Sequence, residues 1–224
     1  MTQTIPQQLR PPALASNAGR LTRLWRYQQE RFPLVKHGVL IATFSFCAVC
    51  LSAQLRGDLA WPSWQTGLTA FVTLLLFFLQ LRIADEFKDA VNDARYRPER
   101  AVPRGLVTLA ELRRVGLVAA VIQAGLAVWL QPLLLLPLGV VWAYMGLMRV
   151  EFGVPAWLQQ RPFTYMWTHM LIVPLIDGFA TACDWLPHGF TIPIALGPAS
   201  LGWFLAVSFF NGIIIEIGRK TWAE

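Results

Sequence analysis

The chain is 224 residues long, 55% hydrophobic and only 14% charged, with a mean hydropathy of +0.47 and a formal charge of +6. An ordinary soluble domain carries about 25% charged residues, so the composition excludes a soluble globular protein and points to an integral membrane protein. The basic excess calls for no nucleic acid as a partner: Lys and Arg cluster between the apolar runs, where they set orientation and meet anionic lipid headgroups.

Residues 1–20 are rich in Gln, Pro and small polar side chains and lack the apolar core of a signal peptide, so they read as a disordered tail ahead of a single transmembrane domain over 21–224. The stretch "LTRLWRYQQERFPLVKHG" then mixes Leu21, Leu24, Trp25, Tyr27, Phe32 and Leu34 with basic residues, the pattern of a helix lying in the membrane interface. Apolar, nearly charge-free runs follow at 38–55, 59–81, 115–148, 163–176 and 190–215. A helical span needs about 20 residues, and the third run is too long for one. Gln131-Pro132 interrupts it, because proline removes a backbone donor, and a tight hairpin there gives six spans.

The basic residues agree with that count. Six spans place 18 of the 19 Lys and Arg on one side, with Arg56 alone opposite. Since Lys and Arg stay cytoplasmic in short loops, both termini are expected in the cytoplasm and the chain in a bacterial inner membrane. Cys47 and Cys50 form a CxxC in the first span without a second ligand pair, and with Cys183 they are expected to be buried, apolar-like side chains.

The acids are concentrated at the exit of the second span, in "LRIADEFKDAVNDARYRPERAVPRG". Asp85, Asp89 and Asp93 are spaced i, i+4, i+8, so on a continuing helix they stack on one face with Glu86 beside them. At a separation of about 6 Å each like-charge pair costs on the order of 1–3 kcal/mol, and a cation must compensate. Two kinds are available. Lys88, Arg95, Arg97 and Arg100 could neutralise the acids in a solvated helix and loop. Alternatively the carboxylates hold Mg²⁺, which binds through one or two carboxylates plus substrate phosphates, while Arg97, Arg100 and Arg104 clamp phosphate oxygens.

The register resembles the first aspartate-rich motif of the UbiA-type intramembrane prenyltransferases, NDxxDxxxD followed by an Arg-rich loop ending in RPxxxG. Here it stands as "DEFKDAVND" and then "RPERAVPRG", with Asp85 in place of Asn, Glu86 in place of Asp, and Ala101 where Pro is expected. Thr108 and Glu111 form a capping box that opens the third span. The resemblance implies an all-α, polytopic helix bundle of about six spans, shortened against the family's nine. It implies Mg²⁺ as cofactor, a prenyl diphosphate and a hydrophobic acceptor as substrates, and Asp85, Glu86, Asp89 and Asp93 as metal ligands, the three aspartates being catalytic. Lys88, Arg97, Arg100 and Arg104 would bind diphosphate.

The family's second acidic motif follows its sixth helix, where this chain has "FFNGIIIEIGRKTWAE". Glu216 is the expected metal ligand there, with Asn211 and Lys220 on substrate. Asp177, inside the fifth span and beyond Pro174, is a candidate to orient the acceptor or act as a base, because charge within a span is costly and commonly functional. A partner membrane chain could supply the missing helices, and a catalytically silent assembly subunit is the competing expectation.

Overall fold

The computed structural model describes residues 19–58, 60–189 and 200–221, and every long element among them is a helix. Residues 1–18 of the expected tail, Leu59, residues 190–199 and residues 222–224 lie outside the described residues, as do the side chains of Arg219 and Lys220, whereas Arg20, placed in the tail from the sequence, opens the first helix. The helices are α1 (Arg20–Arg31), α2 (Leu34–Leu55), α3 (Trp64–Lys88), α4 (Ala90–Tyr96), α5 (Leu109–Leu130), α6 (Leu135–Arg149), α7 (Pro155–Gln159), α8 (Pro162–Met170), α9 (Ile172–Trp185) and α10 (Ser200–Thr221).

Six stretches are long and apolar enough to cross a membrane: Leu34–Leu55, Trp64–Lys88, Leu109–Leu130, Pro132–Arg149, Pro162–Trp185 and Ser200–Gly218. The chain is an all-α, polytopic membrane protein. Large apolar side chains such as Leu117, Leu136, Val140 and Ile214 are exposed on these helices, a cost in water that bilayer hydrocarbon removes.

Proline sets the interruptions. α5 stops at Leu130, Gln131 is extended (φ −162°, ψ 115°), and Pro132 opens a 3₁₀ turn that leads into α6. Pro137 falls in the first turn of α6, where the missing N–H has no helical partner to lose. Between α8 and α9 the helix breaks at Leu171, because Pro174 cannot donate to the carbonyl of Met170. Cys183 is buried as expected, but Cys47 is exposed and Cys50 only half-buried, since their part of α2 turns outward.

The chain forms two compact units, each drawing part of α2, α3 and α5. One comprises residues 1–40 and 76–121, the other 41–75 and 122–224. In the first, Tyr27 of α1, Ile83 of α3, Leu112 of α5 and the loop residues Ala101, Leu106 and Val107 make one buried cluster. The Thr108–Glu111 capping box is present: the Thr108 N–H donates to Glu111 Oε2 at 2.9 Å, and the Glu111 N–H donates to Thr108 Oγ1 at 3.1 Å.

In the second unit α9 packs against α6 and α10, and α8 against α10. Met166, Phe209 and Ile213 form a small core there. A Cβ at Gly212 would stand 3.1 Å from Val173 Cγ2, so glycine permits the close approach of α10 to α9. Thr66, Thr69 and Thr73 form a buried stripe on α3. Fully buried Gln123 donates to the Thr73 carbonyl at 3.1 Å and accepts from Trp142 Nε1 at 3.2 Å, as a polar side chain in a membrane interior must.

Candidate functional site

The acidic run lies in the first unit, at the joint between α3 and α4. Asp89 is the residue between the two helices, with φ −88° and ψ −1°, a sparsely populated backbone region in which many active-site residues sit. The joint is a bend rather than a stop. The Asp89 N–H still donates to the Asp85 carbonyl at 2.8 Å, Asp93 to Asp89 at 2.8 Å and Arg97 to Asp93 at 2.9 Å. The i, i+4, i+8 line predicted from the spacing is therefore kept by the backbone.

The side chains along that line have separate environments. Glu86 is 1% exposed, and the Arg31 Nε of α1 donates to its Oε1 at 2.6 Å. Arg82 Nε stands 3.8 Å from the same oxygen, whereas Glu86 Oε2 has no hydrogen-bond donor among the described residues. The Tyr27 hydroxyl is buried nearby, also without a partner among them, and its pKa is raised by burial first and by the negative charge of Glu86 second.

Asp93 is buried as well, and Arg100 Nη1 donates to both of its oxygens, at 2.8 and 2.7 Å. Asp85 is exposed and lies 3.6 Å from Arg82. Asp89 differs from the other three: it is half-buried, and its carboxylate has neither an ion pair nor a hydrogen-bond donor among the described residues.

The Arg-rich loop reaches back to α1. Arg104 Nη2 donates to both oxygens of Glu30, at 2.6 and 2.8 Å, and its Nη1 donates to the Glu99 carbonyl at 3.0 Å. Gly105 closes the loop with a positive φ of 78°, which a side chain would strain. Arg23 of α1 donates to Glu111 at 2.6 Å and to the Leu106 carbonyl at 3.2 Å. Arg97 is exposed, with no side-chain partner among the described residues. Lys88 is exposed too.

Arg31 and Arg82 already neutralise Glu86, and Arg100 neutralises Asp93, so a metal ion at either carboxylate must displace a guanidinium. No group of three His, Cys, Asp or Glu among the described residues is placed to hold a metal ion. The donor set does not make an all-protein cage. Mg²⁺ held by one or two carboxylates together with a ligand's phosphates would need fewer protein ligands, and Asp89, with Asp85 one turn before it and 3.6 Å from Arg82, would supply those carboxylates.

The remaining predicted residues belong to the second unit. Asp177 is 2% exposed on α9 and accepts a hydrogen bond from the Ser208 hydroxyl of α10. Asn211 is exposed and Glu216 half-buried on α10. Five positions apart on a helix, they stand about 140° apart around its axis and do not share a face. The Lys220 side chain lies outside the described residues.

Two arrangements escape sequence reasoning. Asp184 lies at the end of α9 and is buried. Arg56 grips both of its oxygens at 2.9 Å, and the Ser52 hydroxyl adds a third donor at 2.7 Å. The one basic residue against the charge rule is thus an internal counter-ion. The second arrangement is the turn after α6, where Glu151 and Phe152 have φ of 50° and 53°. Glu151 is buried there, 3.4 Å from His169 Nε2, and the His169 ring stacks on Tyr165 at 3.9 Å. Its only trace in the sequence is a lone acid between the fourth and fifth spans.

No protein-family model matches the chain, and neither a curated protein nor a solved structure is significantly similar to it.

Proposed function

We propose that the chain binds a prenyl diphosphate with Mg²⁺ at the α3–α4 joint and transfers the prenyl group to a hydrophobic acceptor. The observation that carries this reading is Asp89, a half-buried carboxylate at a bent joint, without a partner among the described residues while its three neighbours lie beside arginines. Asp89 and Asp85 would hold the cation. Arg97, exposed and without a side-chain partner among the described residues, would take phosphate oxygens bidentately, as guanidinium does. Arg100 would act through Asp93, keeping the α4 end of the joint in place.

In the reaction the allylic C–O bond breaks with both electrons going to the departing diphosphate. The acceptor supplies the electron pair of the new bond and loses a proton. Bound Mg²⁺ supplies charge stabilisation for the leaving diphosphate. Apolar spans on either side of the joint would shelter the prenyl chain from water.

Purified protein in liposomes is expected to release diphosphate from prenyl diphosphates only with Mg²⁺, and Asp89→Ala to abolish release. A second reading, a catalytically silent subunit that packs against a partner membrane chain, is favoured by the arginine pairing of Glu86 and Asp93. Wild-type protein with neither turnover nor Mg²⁺-dependent substrate binding, across several chain lengths, would establish it.

A further inference from the structure

The α1 helix puts two opposite charges, on consecutive residues, against the two ends of the candidate site. Glu30 sets both carboxylate oxygens on Arg104 Nη2, at 2.6 and 2.8 Å, where a phosphate would place an oxygen. Arg31 places its guanidinium against Glu86, at 2.6 Å, where a cation would sit. Both partners carry ligand roles in the family pattern, Arg104 in the Arg-rich loop and Glu86 in the acidic motif.

Glu86 is not used up by this contact. At 1% exposure its Oε2 still has no donor among the described residues, and Arg82 Nε and the Tyr27 hydroxyl beside it are likewise without hydrogen-bond partners. A buried carboxylate with half its capacity unmet is a poor resting structure and a ready ligand.

We infer that Glu30 and Arg31 form an internal mimic of a metal–diphosphate pair, and that they set the affinity of the site by competing with its ligand. Arg104 has Nη2 on Glu30 and Nη1 on the Glu99 carbonyl, so a diphosphate gains Nη2 only when Glu30 leaves. Displaced from Glu86, Arg31 then becomes a further phosphate-binding guanidinium, this one contributed by α1. The inference rests on the diphosphate reading and adds α1 to its site.

The test uses full-length protein in nanodiscs of zwitterionic lipid, with inorganic diphosphate and Mg²⁺ as the probe. Glu30→Gln frees Arg104 without disturbing a buried group, since the Glu30 and Arg104 side chains are 41% and 36% exposed. It is expected to bind diphosphate about three- to fivefold more tightly, the size of one exposed ion pair released. The control Glu99→Gln removes the same charge from an exposed side chain of the same loop and should shift affinity by less. Saturating probe should also speed amide hydrogen exchange over residues 28–31 in the wild type.

If Glu30→Gln binds no tighter than Glu99→Gln, or if the probe slows exchange in α1, the mimic is overturned while diphosphate binding stands. If neither wild type nor Glu30→Gln holds the probe, both the mimic and the diphosphate reading fail.

Discussion

The acids of the α3–α4 joint and those of α9 are the same kind of side chain put to opposite uses. On α9 both are closed. Asp184 receives three donors from Arg56 and Ser52, and Asp177 receives the Ser208 hydroxyl, each from a neighbouring span. At the joint the partners are unequal: Arg31 reaches one oxygen of Glu86, Arg100 holds both of Asp93, and Asp89 has none among the described residues. Where a bilayer would surround the helix every carboxylate must be satisfied, because an unpaired one there costs several kcal/mol. Where the helix leaves the apolar region that demand relaxes, and a carboxylate can be kept open for a ligand.

The comparison is broken most severely at its closed end. Arg56→Ala leaves Asp184 buried and uncompensated, and unfolding measured in mild detergent should show a loss of about 3–5 kcal/mol. Asp89→Ala removes a charge with no partner among the described residues, and the same measurement should change by less than about 0.5 kcal/mol. Equal losses in the two variants would mean that Asp89 is a structural acid like Asp184.

Much of the fold was legible because it follows from local chemistry. The six spans come from apolar runs, the hairpin from Gln131-Pro132, the opening of α5 from Thr108 and Glu111, and the break before α9 from Pro174. The backbone line of Asp85, Asp89 and Asp93 was legible for the same reason. What the spacing could not show is which acid meets which arginine. Arg31 and Glu86 are 55 positions apart, and Arg56 and Asp184 are 128 apart. Counting charges by loop sets Arg56 alone opposite the other basic residues, when it is the counter-ion that lets Asp184 be buried. The Glu151–His169 contact was hidden because two consecutive left-handed residues, neither of them glycine, carry no sequence signature.

The central claim is that Asp89, a half-buried acid without a partner among the described residues, is held ready for a divalent cation shared with a diphosphate. Manganese, a paramagnetic stand-in for magnesium, tests it directly through electron paramagnetic resonance of full-length protein with inorganic diphosphate. The wild type should show protein-bound Mn²⁺ only when diphosphate is present, and Asp89→Ala should lose that signal with its thermal stability unchanged. A signal that survives Asp89→Ala, or a wild type that binds no Mn²⁺ with diphosphate, would contradict the account.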